Sequence, residues 1–262
     1  MTVTQEFNTS VEEVLKEYKK QSLPLFDYLN QRSQIGFTQN QFQIYRDNYF
    51  YRTFRTIPSV CLIVKSAAEN EDEAVMKSAG QNLMEELGLI NGTTSHSAHL
   101  RHSHNIHSER VFKLSPISLR ESLSSELVLE KTKEFSRQQA ELYASDNYLV
   151  VLATNYAQEE VATDMLKSFL SAWFRPYKFL YSLQEYDEVE EYFRCHIDGL
   201  EERHAEDAKN SVIKQIKTSQ DMNIALTSIR DILVAQSNMW VSLYEGIASQ
   251  EQTSRLVPIT VI

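Results

Sequence analysis

Apolar positions recur at three- and four-residue spacing along most of the chain, and that rhythm predicts helices nearly from end to end. Asn8, Thr9 and Ser10 precede an acid-rich first turn, the pattern of a helix start. Thr38 opens a second helix running to about residue 57. Its Phe42, Tyr45, Tyr49 and Phe50 share one face, which predicts a buried aromatic stripe. A third helix, from about Glu71 to Leu87, stops at Gly88, placed as a C′ glycine. Residues 89–116 are polar and rich in His and Ser, read as a loop, a short helix and another loop. Pro116 precedes a helix over roughly 118–144. Asp146 is read as the cap of the next, 147–174, which is apolar almost all round and therefore central. Pro176 breaks or kinks it. Two further helices, about 186–217 and 219–249, precede RLVPITVI, a short apolar tail docked on the surface or on another subunit.

Composition narrows this to one all-α domain over residues 1–262, with about seven or eight helices and a tail from about 252. Only six Gly and five Pro punctuate 262 residues, too few for an architecture of strands and turns. The net charge of −10, with no basic run, argues against a nucleic-acid partner. No stretch approaches the ~20 apolar residues of a membrane span. The N-terminus lacks a basic-then-apolar leader. The two cysteines, Cys61 and Cys195, are too few for a disulfide framework, so a cytoplasmic location is expected. Cys61, in an apolar run, is expected in the core.

Three clusters carry candidate chemistry. The first is Asn82, Glu85, Glu86 and Gly88, followed by His96. The second is Gln158-Glu159-Glu160 in the most apolar helix. The third is His196, Asp198, Glu201 and His204. Alone, Glu85 and Glu86 read as solvated charges at a helix end, and His196 and His204 as ordinary histidines. Glu159 and Glu160 are harder to dismiss, because a buried carboxylate requires a partner or a metal. Taken together, carboxylates and imidazoles form the ligand set of non-heme iron, and helix bundles build such sites from facing helices. A His with an acid four residues on and a second His seven on would share one helical face. Here the spacing is five and eight, which turns Glu201 about 140° from His196 on a regular helix. A one-residue π-bulge at Gly199 would restore the common face.

Four segments, in order, resemble the heme-oxygenase-like diiron oxidases and oxygenases, relatives of thiaminase II and heme oxygenase. GFTQNQFQIYRDNYFYRTF resembles the family's second helix. NLMEELG with SHSAHL resembles its Asn-Leu-x-x-Glu-Glu-x-Gly…His segment. HIDGLEERHAEDA resembles its His-x3-acid-x2-His segment, stretched by one residue, and SNMWVSLYEGI its closing Trp-x3-Tyr helix. The resemblance implies a heme-oxygenase-like bundle, often dimeric, that holds Fe(II), two per chain, and uses O2 to oxidise a small molecule such as an amine, an amino acid or a carboxylic acid. It implies six metal ligands: Glu86, His96, Glu159, His196, Glu201 and His204, with Glu160 the alternative to Glu159 and Asp198 the alternative to Glu201. No His precedes His96, unlike the N-terminal heme ligand of heme oxygenases. ELYASDNYLVV holds no Cys, unlike thiaminase II, and Cys195 is read as packing behind the site. The remaining histidines of the rich stretch, His99, His102, His104 and His107, are expected mainly in solvent, without a closed zinc set. The alternative reading is a metal-free, thiaminase-like binding or hydrolytic protein on the same bundle.

Overall fold

The Thr2 hydroxyl accepts a hydrogen bond from the Gln5 amide while the Gln5 side-chain oxygen accepts one from the Thr2 amide, and this capping box starts the first helix, α1 (Val3–Arg32). The helix therefore begins before Asn8–Ser10, where the sequence pattern placed it. A computed structural model describes residues 2–90, 94–197, 199–251 and 256–259; the side chains of Leu200 and Glu201, and all of Asp198, lie outside the described residues.

A second capping box, Thr38 with Gln41, starts α2 (Gln39–Thr53). The helix expected to reach residue 57 stops at Thr53, and a separate α3 (Thr56–Glu69) follows, then α4 (Glu73–Glu86) and α5 (His96–His107). The predicted 118–144 helix is shorter: a 3-10 turn over Glu121–Ser124 leads to α6 (Glu130–Tyr143). Asn147, not Asp146, caps α7 (Tyr148–Phe169), its side chain accepting from the Leu149 amide. A π-helical turn (Leu170–Phe174) and a 3-10 segment carrying Pro176 end that stretch, as the proline predicts. The helix expected at 186–217 is two, α8 (Leu183–Ile197) and α9 (Leu200–Gln215). Gly199, at φ +89°, divides them in a left-handed conformation that glycine adopts without a Cβ penalty, in place of the anticipated π-bulge. The long α10 (Ser219–Ala248) closes the bundle.

The fold is all-α, and α7 is its centre, packing on α6, α8, α9 and α10. α1 lies along α10. Phe42 and Tyr45 are 0% exposed and Tyr49 2%, so the aromatic stripe of α2 does face inward. Phe42 stacks on Phe112 at 4.4 Å, and Tyr45 on Trp173 at 4.7 Å. Cys61 is exposed instead, on the face of α3 away from buried Val60, Ile63 and Ala67. The described part of the apolar tail, β2 (Leu256–Pro258), pairs antiparallel with β1 (Gly36–Thr38), so it docks on its own chain. Tyr177 locks that pair: its hydroxyl donates to the Val257 carbonyl at 3.2 Å and accepts from the Phe37 amide at 2.8 Å. No helix among the described residues is long and apolar enough to cross a membrane.

Candidate metal centre

Two local features aim the first cluster. Gly88, at φ +69°, ends α4 in a Schellman motif: the Leu89 amide reaches the Met84 carbonyl at 2.8 Å and the Gly88 amide that of Glu85 at 2.9 Å. Glu85 and Glu86 thus sit on the last turn of α4. Ser95 caps α5 by accepting from the Ala98 amide, which puts His96 at the first helical position. His96 Nδ1 lies 3.3 Å from Glu86 Oε1.

The break at Gly199 aims the third cluster. His196 closes α8 and His204 stands in the second turn of α9, and both line one cavity of about 650 Å³ together with Glu86, His96 and Glu159. Five of the six candidate ligands, from three distant segments, therefore surround one space. The sixth, Glu201, has its side chain outside the described residues, as has Asp198 altogether. The His96 and His196 rings meet edge to face at 4.5 Å. Asn82 donates to Glu159 Oε1 at 3.3 Å. Glu160, the alternative, is exposed and turned toward Tyr156 and Lys209.

Glu85 does not extend into solvent as expected. Its side chain is 12% exposed, held by His204 Nε2 at 2.9 Å and by the Arg203 guanidinium at 3.0 Å. The sequence placed it in the first cluster but read it as a solvated charge, because its partners lie more than a hundred residues away. Cys195 lies behind the cavity wall, as expected, with its sulfur and one nitrogen from each of His96 and His196 within 4.8 Å of one another.

Two histidines expected in solvent are buried. His104 and His107 are both 0% exposed, whereas His102 is half exposed beside Glu188. His104 is accommodated by the Leu100 carbonyl at Nδ1 (3.1 Å) and the Tyr45 hydroxyl at Nε2 (3.2 Å), and His107 by Tyr181 at 2.6 Å. Tyr45 and Tyr49 stack over His104, and the Tyr49 hydroxyl meets that of Tyr192 at 2.7 Å, forming part of the cavity wall.

The electrostatics suit a cation. Burial works against the charged form of His96, yet hydrogen bonds to Cys195 and Glu86, with the Glu86 carboxylate beside it, raise its pKa to about 10. The carboxylate beside His96 favours positive charge there, and the donor set of carboxylate and imidazole fits a divalent metal ion of the iron type.

No family model and no curated protein matches the chain. Solved structures do. A CADD-like protein of unknown function from Nostoc punctiforme superposes with a TM-score of 0.68 at 16% identity, over 96% of this chain and all of that one. A domain of unknown function with a heme oxygenase-like fold from Shewanella denitrificans gives 0.65 at 15% identity, over 97% of each chain. A TenA homolog from Pseudomonas syringae gives 0.67 at 11%, over 92% of this chain and 93% of that one. At such identities the likeness establishes the fold.

Proposed function

We propose that this chain, a bundle of the heme-oxygenase-like fold, is a non-heme iron protein that binds two Fe(II) and uses O2 to oxidise a small molecule. The observation that carries the reading is the convergence of Glu86, His96, Glu159, His196 and His204 on one cavity, with acid and imidazole already paired. Glu201 completes the proposed ligand set. Iron bound there would supply the one-electron and O2 chemistry that side chains lack.

The chain's own residues do the rest. The carboxylate of Glu85 accepts from His204 Nε2, which assigns the proton to that nitrogen and leaves Nδ1 with the free lone pair. Arg203 holds Glu85 from its other oxygen. Asn82 fixes the rotamer of Glu159. The Tyr49–Tyr192 hydrogen bond braces α2 against α8 beside His196, whose ring lies 5.1 Å from that of Tyr192. Apolar residues such as Ile57, Met165 and Leu166 line the same space and limit water around a reacting centre.

Anaerobic titration with Fe(II), followed by metal analysis and O2-uptake measurement, tests the reading. About two iron ions per chain, lost in His96→Ala and His196→Ala proteins of unchanged helical content, is the expected result. A folded protein that takes up no iron would end it. The position of Cys195 favours one second reading, a metal-free thiol chemistry in which His96 and His196 flank the sulfur. That reading requires a Cys195→Ser protein to lose an activity that chelators leave intact.

A further inference from the structure

We infer that the cavity takes a small molecule with a carboxylate head and an apolar body, and that Arg52 binds the carboxylate. The inference rests on the reading of this cavity as a substrate site and names the class of molecule that enters it.

Arg52 lies one turn beyond Tyr49 on α2 and lines the cavity. Aromatic rings surround its guanidinium: Phe135 at 5.7 Å, Trp240 at 5.9 Å and Tyr49 at 6.0 Å. Among the described residues it makes no ion pair and no hydrogen bond, and its Nε is buried without a partner. Arg46, on the same helix, shows what the fold does with a cation it means to bury: Asp47 lies 3.0 Å from its Nε, and Ser108 and the Ser115 carbonyl take another nitrogen. Arg52 is half-buried, and of its nitrogens only Nε is both buried and unpartnered, which leaves its charge without an anion at the cavity wall. Guanidinium is also the group best shaped to grip a carboxylate through two parallel hydrogen bonds.

Two amide oxygens in the same wall are also unpartnered; as acceptors they call for a donor, such as a hydroxyl, on the ligand's body and do not contact its carboxylate. Gln139 lines the cavity with its Oε1 buried and unpartnered. Gln158 spends its Nε2 on Gln236 at 2.7 Å and leaves its Oε1 without a partner. The acids that share the cavity are already engaged: Glu86 with His96, and Glu159 with Asn82. Arg101 and Arg120, both exposed, line the same space. They add positive charge to a cavity whose acids, Glu86 and Glu159, stand against His96 and Asn82, so an anion that enters has cations to meet beside the acid-and-imidazole cluster. The rest of the wall is largely apolar, with Phe54, Ile57, Leu119, Met165 and Leu166, and the volume suits a molecule of roughly the size that pockets of 300–1,000 Å³ enclose.

The test uses the full chain without iron, so that it is independent of metal loading. Hexanoate, phenylacetate and their primary amides are titrated calorimetrically. A charge-assisted hydrogen-bonded pair predicts that each acid binds about 10–100-fold more tightly than its amide. Arg52→Gln should erase that preference and Arg52→Lys should keep part of it. In wild-type protein labelled with ¹⁵N-arginine, the Arg52 Nε–H signal should move with hexanoate and stay still with hexanamide; this arm holds even where the Arg52→Gln protein fails to fold around Trp240. Equal binding of acid and amide, an acid preference that survives Arg52→Gln, a still Nε–H signal, or no binding of either acid at millimolar concentration overturns the inference. Failure to bind iron alongside an intact acid preference would sink the proposed iron chemistry and leave this inference standing.

Discussion

Acid should destabilise this fold from about pH 6 downward, well above the range in which carboxylates titrate, and His104 is the reason. A backbone carbonyl only accepts, so the 3.1 Å contact with Leu100 makes Nδ1 the protonated nitrogen of His104. Nε2 then accepts from the Tyr45 hydroxyl. The neutral ring is fully satisfied, and a second proton would have to enter a site that is 0% exposed. Burial is the main cause holding the pKa down, at about 3 against an ordinary 6.5; the Leu100 carbonyl opposes it and the Arg46 charge reinforces it.

The sign follows from linkage. A depressed folded-state pKa means that the unfolded chain takes up the proton first, so stability is full above pH 6.5 and falls until about pH 3. At pH 5 this one residue costs about 2 kcal/mol, and across the whole window about 5 kcal/mol, a large part of the ~5–15 kcal/mol that holds an ordinary domain. His107 acts in the same direction, lowered chiefly by burial. Thermal melting of iron-free protein at pH 7 and pH 5 should show a drop of at least about 4–8 °C from His104 alone. In a His104→Gln protein that drop should shrink by the same amount. A His104 ring signal that titrates near pH 6 by NMR, or equal pH sensitivity in the two proteins, would refute the reasoning.

Other outcomes follow from single contacts. Gly36→Ala should destabilise the fold by about 1–3 kcal/mol, because a Cβ there would lie 2.2 Å from the Val257 carbonyl at a φ of +108°. Urea denaturation should give the same loss when the chain is cut before Leu256, and the two changes should not add. Glu85→Gln should weaken iron binding about 10–100-fold in anaerobic titration while leaving the circular dichroism unchanged, since it removes the carboxylate that orients His204. The likeness of the sequence to an often dimeric family, and no contact in the structure, leads us to propose a homodimer, checked by light scattering at micromolar concentration; a monomeric mass would contradict it.

What could be read from the chain was what neighbours in sequence decide. The stripe of Phe42, Tyr45 and Tyr49 is a local periodicity, and burial follows from it directly. Gly88 ends α4 for a reason within six residues. The central place of α7 is written in its own apolar surface. Local patterns misled where local groups compete for one role. Asn8, Thr9 and Ser10 have the chemistry of a cap, yet Thr9 spends its hydroxyl on the Gln5 carbonyl at 3.0 Å inside a helix already begun by Thr2. Nothing near His104 or His107 tells that Tyr45 and Tyr181 will meet them across 59 and 74 residues, so polarity alone argued wrongly for solvent.

The candidate site shows the same division in sharper form. Residue types and their order along the chain were enough to single out the three segments that meet at the cavity. Spacing was not enough to say how the third segment turns, because a one-residue excess has two physical solutions. A π-bulge keeps one helix and widens a turn; a left-handed glycine ends one helix and starts another in a new direction. Gly199 permits both, and the choice depends on what the second helix packs against. α9 lies along α7, and that contact lets His204 leave the axis of α8 and reach the Glu85 carboxylate. The same turn explains why Glu85, named beside Glu86 in the first cluster, was read only as a solvated charge. Two adjacent acids on a helix end differ only in which neighbour arrives, and here each received a histidine from a different helix: His96 from α5 for Glu86, and His204 from α9 for Glu85.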